Sequence, residues 1–167
     1  PVGRGLFAIL ARLRRGAGAA VAVTAAHRLS EIFGALKNEA RESVPELDEA
    51  EGMEDQDAAL LKRMDAIRDA QVQAEYLRLR QQLADAIQVW FLQQSLAAAG
   101  IPREILPNPE LLDAAGVDMA SFAPEDWQDA DRNAREAADL LRYLAGNVDE
   151  RLALLAFCLA VCKRSAN

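Results

Sequence analysis

The stretch that decides the fold runs from Asp57 to Ala99 and reads DAALLKRMDAIRDAQVQAEYLRLRQQLADAIQVWFLQQSLAAA. It contains no Gly or Pro and is rich in Ala, Leu, Gln, Arg and Asp, which predicts one uninterrupted helix over 57–99. At about 1.5 Å per residue such a helix is roughly 60 Å long, so shorter helices must pack along it. The sequence therefore predicts an all-α fold: an elongated helical bundle around this central helix, with a shorter helical C-terminal half.

Apolar side chains keep helical spacing along this stretch but change face halfway. The first stripe consists of Leu60, Met64, Ile67, Gln71 and Ala74. The second consists of Val72, Tyr76, Leu79, Leu83, Ala86 and Trp90. Two stripes predict two neighbours in the bundle, with an oligomer or partner contact as the alternative for one of them. The turn from Val89 to Leu92 is apolar in every direction and is expected to be fully buried.

The composition indicates one domain built of closely packed helices. The chain has 167 residues, 51% of them hydrophobic but only 5% aromatic, and Ala greatly outnumbers Val, Ile and Thr. Gly and Pro divide the single domain 1–167 into N-terminal helices over 1–41 with a break at Gly16 and Gly18, an acidic hinge over 42–56, the long helix over 57–99, a loop with a short helix over 100–123, and a C-terminal helical pair over 124–164.

Charge is distributed unevenly along the chain, whose net charge is −7. Residues 1–37 carry six basic residues against one acid, whereas residues 38–57 carry nine acids against one Arg. Overall acidity, and the lack of aromatic residues among the arginines, argue against nucleic acid as a partner.

The residue types that carry catalysis or metal binding are scarce. Cys158 and Cys162 are four residues apart in one predicted helix, too far for a mutual disulfide, and are expected to be buried thiols. With His27 as the only His, they do not make a zinc site, and His27 falls on the polar side of its helix. We therefore expect no enzyme, no cofactor and no metal.

The most informative short segment is residues 3–15, a basic amphipathic pattern. It is interpreted either as the first helix of the bundle or as a helix that docks in a partner's groove or on an anionic membrane surface, with a leftover targeting segment as a third alternative. The candidate partner-binding residues are Leu6, Phe7, Leu10 and Leu13 on the apolar face and Arg4, Arg12 and Arg15 on the basic one.

The C-terminal half contains two further helical patterns. From Trp127 to Leu144 apolar residues recur at alternating steps of three and four, with small residues in the middle and large ones at the ends. This spacing is typical of coiled coils and indicates a core contact or, as the alternative, an oligomer contact. Residues 149–163 include eleven apolar residues in succession, too few to cross a bilayer, so this helix is expected to be buried centrally.

These patterns favour a non-enzymatic helical protein-interaction module, such as an adaptor, a chaperone-like binder, a regulator or a small subunit of an assembly. Its partner would be another protein, with a homo-oligomer as an alternative. The second hypothesis is a peripheral membrane or secretion- or virulence-associated protein that uses the basic amphipathic N-terminal helix. A cytoplasmic location is expected in the first case, and a membrane-peripheral or secreted one in the second.

Overall fold

The computed structural model describes residues 2–14, 16–45, 58–109, 127–146 and 148–163, and all but a few of their side chains. The regular elements in these ranges are helical, which confirms the prediction of an all-α helical bundle. They are α1 (Val2–Leu10), α2 (Ala19–Ser43), α3 (Ala58–Ala98), a short 3-10 helix (Arg103–Ile105), α4 (Trp127–Ala145) and α5 (Glu150–Cys162).

The long helix forms where the sequence predicts it, as α3. It ends at Gly100, which has a φ of +82°, a left-handed conformation that suits a residue without a Cβ atom. The backbone N–H of Ile101 donates to the carbonyl of Leu96 at 3.0 Å, and that of Gly100 donates to Ala97 at 3.0 Å. This pair of hydrogen bonds is the Schellman motif, which satisfies carbonyls that the helix end would otherwise leave unpaired.

The chain divides into two compact units, and the sequence did not anticipate this division. One comprises Pro1–Ile32 with Leu83–Asn167, and the other comprises Phe33–Gln82. The boundaries fall inside α2 and α3. That the chain folds as a single domain stays a prediction.

The larger unit has its core around the last third of α3. Side chains from four other helical segments are fully buried there with Trp90 and Phe91: Leu6, Leu10, Leu29, Leu140, Leu154 and Val161. Phe91 meets Phe157 edge to face, with ring centroids 5.6 Å apart. The predicted burial of Trp90 and Phe157 is thus confirmed, and α4 packs against α5.

The smaller unit consists of the end of α2 and the start of α3. Its buried side chains include Phe33, Leu36 and Tyr76, and the Lys37 ammonium lies 5.0 Å from the centre of the Tyr76 ring, a cation–π contact. Here α2 contributes far fewer residues than α3. The second predicted stripe of α3 is buried or half-buried, whereas Leu60 and Ile67 of the first stripe are about half exposed.

Several expected boundaries shift or lie outside the described residues. Helix α2 continues to Ser43, two residues into the predicted acidic hinge, and the rest of that hinge from 46 onward is not among the described residues. The loop with a short helix predicted over 100–123 is described only as far as residue 109. Helix α4 is described from Trp127 to Ala145 and so contains the whole predicted pattern from Trp127 to Leu144.

Candidate protein-interaction surfaces

The apolar residues predicted to bind a partner lie in the core. Leu6, Phe7, Leu10 and Leu13 are each at most 4% exposed, so in the docked helix they offer no surface to a partner. Arg12 is exposed as predicted, whereas the Arg4 side chain and Arg15 lie outside the described part of the chain. The prediction of an accessible apolar face on this segment therefore does not hold for the docked helix.

The reason is that the apolar face of α1 finds neighbours within its own unit. The Phe7 ring stacks on Trp90, with centroids 5.3 Å apart. The segment that connects α1 to α2 also contacts α5, because the Gly16 N–H donates to the Cys162 carbonyl at 3.1 Å. The membrane hypothesis requires the apolar side chains of this segment to be exposed together, and they are not.

One basic hollow lies between α1 and α2. Its volume is about 220 Å³, its apolar lining comes from Ile9, Ala20, Val21 and Ala25, and Arg12 and Arg28 stand at it with exposed side chains. The Thr24 hydroxyl at this hollow already donates to the Ala20 carbonyl at 2.9 Å. The hollow is small and open, and its lining combines apolar residues with two arginines.

A larger exposed apolar surface occurs on α5. One side of this helix is buried and consists of Ala153, Leu154, Phe157, Cys158, Val161 and Cys162. The opposite side, which we call the outer face of α5, consists of Leu152, Leu155, Ala156, Leu159, Ala160 and Lys163. Leu152 is 63% exposed and Leu159 is 39% exposed, Ala156 and Lys163 are exposed, and the remaining two are half-buried. All but one of these side chains are apolar.

This exposure corrects the prediction that the helix over 149–163 is buried centrally. Phe157, which meets Phe91, and Cys162, whose carbonyl accepts from the Gly16 N–H, both belong to the buried side of α5. The same error affects the turn from Val89 to Leu92, where Leu92 is 43% exposed. Sequence reasoning missed the outer face because an apolar run does not reveal how many neighbours a helix has.

The ends of the outer face carry opposite charges. Asp149 caps the start of α5, and its Oδ1 accepts hydrogen bonds from the backbone N–H groups of Arg151 at 2.9 Å and Leu152 at 3.0 Å. Glu150 follows in the first turn, whereas Lys163 is exposed just after the last one. Acids at the start and a base at the end of a helix also complement the helix dipole.

A second hollow adjoins the C-terminal end of the outer face. Its volume is about 500 Å³, and it is lined by Gly16, Gly18, Ala19, Leu159, Cys162 and Lys163. Gly18 has a φ of +88°, and a Cβ atom added there would meet no atom within 4 Å. Leu159 and Lys163 therefore belong both to the outer face and to this hollow, so the apolar surface widens at that end.

Of the two cysteines and His27, Cys162 contributes to the lining of the second hollow, whereas Cys158 and His27 line neither hollow. Cys158 and Cys162 are free thiols, as predicted, and burial raises the pKa of Cys158 to about 12. His27 is exposed, as predicted, and its Nδ1 lies 3.5 Å from the Glu31 carboxylate. Among the described residues, no group of three or more His, Cys, Asp or Glu is placed to hold a metal ion. Within the same ranges, no helix combines the length and apolar character that crossing a membrane requires.

Comparison of the chain with known proteins gives no match to a family model, to a curated protein or to a solved structure. A function for this protein therefore has to be inferred from the geometry of the outer face.

Proposed function

We propose that this protein is a helical interaction module that acts by pairing helix to helix through the outer face of α5. The exposure of Leu152 and Leu159 on one side of a helix whose opposite side lies in the core is the observation that carries the proposal. In the isolated protein, part of the Leu152 and Leu159 side chains remains in contact with water. Covering each by a partner would contribute roughly 1 to 2 kcal/mol, in proportion to the apolar area now in water.

The spacing of the outer face specifies the kind of partner. Its residues recur at steps of three and four, the pattern by which one helix presents side chains to another. Ala156 lies between the two leucines, and a small residue there permits close approach of a second helix. The partner is thus an amphipathic helix with its own leucine stripe and with charges that complement acids at one end and a lysine at the other.

A non-enzymatic role agrees with the groups that the described ranges contain. A thiol nucleophile needs a thiolate, and burial disfavours that form at Cys158, whose pKa is raised. The exposed His27 lines neither hollow. The membrane alternative has weaker support, because the apolar side chains it relies on are buried with Trp90. A cytoplasmic location stays a prediction.

Affinity capture with a matched control tests the proposal. The double variant Leu152→Glu/Leu159→Glu places two charges on the outer face, and Leu60→Glu/Leu77→Glu places two on exposed leucines of α3. Each tagged protein is incubated with a lysate of the source cells, and retained proteins are quantified by mass spectrometry. We expect proteins that are retained by the wild type and by the α3 variant, but lost by the α5 variant.

Circular dichroism and a urea midpoint establish that both variants are folded. If the folded α5 variant retains the same proteins as the wild type, the outer face is not the interaction surface and the proposal is wrong.

A further inference from the structure

We infer that the helix which covers the outer face of α5 is α5 of a second copy, packed antiparallel about a two-fold axis beside Ala156. This inference rests on the proposed function, because it names the occupant of the same surface. The outer face requires a partner helix that is amphipathic, carries a leucine stripe and has complementary charges at its ends. Helix α5 itself has all of these features.

The spacing of the leucines is symmetric about the middle of the helix. Leu152 and Leu159 lie on the same side of α5, seven residues apart, with Ala156 between them. In an antiparallel pair with the axis at mid-helix, Leu152 of one copy meets Leu159 of the other, and the reverse contact follows by symmetry. The axis then passes between Leu155 and Ala156, so Ala156 of each copy packs beside Leu155 of the other, and its small side chain favours close approach of the helix axes.

Charge selects the antiparallel arrangement over the parallel one. Antiparallel packing brings Asp149 of one copy near Lys163 of the other, twice over, whereas Arg151 and Glu150 lie farther round the helix, about 100° and 160° from Leu152. Parallel packing would instead place Lys163 beside Lys163 and acid beside acid. The helix dipoles also oppose each other favourably only in the antiparallel pair. Opposite charges at the two ends therefore supply the complementarity that a two-fold contact needs.

The size of the surface predicts a weak dimer. Helix α5 has 13 residues and is about 20 Å long, so one helix pair buries an area at the low end for protein contacts. Exposed Val148, next to the start of α5, lies opposite Lys163 of the other copy and adds some apolar area. We expect a dissociation constant of roughly 10 to 100 µM, which makes the dimer dependent on protein concentration.

Cysteine cross-linking tests the position of the axis. Ala156→Cys places a thiol beside the two-fold axis, whereas Ala35→Cys places one at an exposed position of α2 as a matched control. The native thiols are buried and free, so they contribute little background. At about 100 µM protein with diamide as the oxidant, we expect the Ala156→Cys variant to form a reducible dimer about tenfold faster than the control.

Sedimentation equilibrium of the unmodified wild-type protein gives an independent reading. The weight-average mass should rise from 18.2 kDa toward twice that value over roughly 5 to 500 µM, and Leu159→Glu should hold it at the monomer. A wild type that stays monomeric, together with equal cross-linking of the two cysteine variants, would overturn the inference. In that case, if the wild type captures proteins that the α5 leucine variant does not, a different protein supplies the partner helix. If the capture experiment also shows no difference, the proposed function is wrong as well.

Discussion

The ring of Phe7 stacks on that of Trp90, with centroids 5.3 Å apart and planes inclined by 28°. Trp90 is fully buried and Phe7 is 4% exposed. Such a pair contributes about 0.5 to 1.5 kcal/mol beyond the burial of its area. The contact joins the first helix to the longest one within a single unit, so α1 is part of the core and not an appendage to it.

Replacing Phe7 by Ala should therefore lower the free energy of unfolding by about 3 to 5 kcal/mol, because it removes the stacked ring and leaves a cavity against Trp90. Urea denaturation followed by far-UV circular dichroism measures the change. Val23→Ala removes apolar atoms at a site that is 53% exposed, and should change stability by about 0.5 kcal/mol or less. An unchanged midpoint in Phe7→Ala would mean that α1 detaches at little cost, as the docking hypothesis for this segment requires.

The buried side chain of Gln93 lowers the stability of the same core. It is fully buried, and neither its Oε1 nor its Nε2 has a hydrogen-bond partner in the described part of the chain. Met has nearly the same shape without the polar atoms, so Gln93→Met should raise the free energy of unfolding by about 1 to 2 kcal/mol. The same change at exposed Gln71 should leave stability within about 0.5 kcal/mol. Loss of stability in Gln93→Met would show that the amide is paired in solution.

Features set by local sequence were predictable, and features set by neighbours were not. A run of 43 residues without Gly or Pro predicts α3, and Gly100 followed by Ile101 predicts its left-handed end, because both signals act within one or two turns. The exposure of Leu152 and Leu92 depends on whether another helix happens to cover them. Helical spacing shows that a stripe exists, but not whether the protein itself or a partner covers it.

Replacing glycine by alanine is expected to change stability in opposite directions at Gly34 and Gly100. Gly34 lies inside α2, and a Cβ atom there would meet no atom within 4 Å, so Gly34→Ala should stabilise the protein by about 1 kcal/mol. Gly100 has a positive φ, and Gly100→Ala should destabilise it by about 1 kcal/mol. Thermal or urea unfolding of the two variants under identical conditions measures the difference. Changes of the same sign would contradict the helix end described at Gly100.

Burial of Cys158 predicts loss of stability in alkali. Burial raises its pKa to about 12, with a smaller contribution from Cys162, while an unfolded thiol titrates near pH 8.5. Between about pH 8.5 and pH 12, the Cys158 thiol therefore stays protonated in the folded protein but loses its proton in the unfolded chain. The stabilisation is complete below about pH 8 and declines as the pH rises toward 12.

The wild type should accordingly lose on the order of 3 kcal/mol more than Cys158→Ala between pH 8 and pH 11, although the variant is the less stable protein at pH 7 because of the small cavity. Urea midpoints at fixed pH values give both curves, and groups common to the two proteins cancel in the difference. Parallel curves would mean that the Cys158 thiol is accessible to water in the folded protein.

Asp149 has two separable roles: it caps the start of α5, and it places a negative charge there. Its carboxylate accepts from the backbone N–H groups of Arg151 and Leu152, so Asp149→Ala should cost about 1 kcal/mol of stability. Asn caps a helix about as well as Asp, and Asp149→Asn should leave stability within about 0.5 kcal/mol.

If two copies pack antiparallel, however, Asp149→Asn also removes the charge that faces Lys163, and should weaken the dimer about two- to fivefold, the effect of an exposed ion pair. Sedimentation equilibrium at two salt concentrations separates the two roles. Raising the salt should weaken the wild-type dimer toward the level of the Asn variant and affect that variant less, because screening acts on the charge and not on the cap. Equal affinities of the two proteins at low salt would show that the acid end of α5 does not face Lys163, and would exclude the antiparallel pairing.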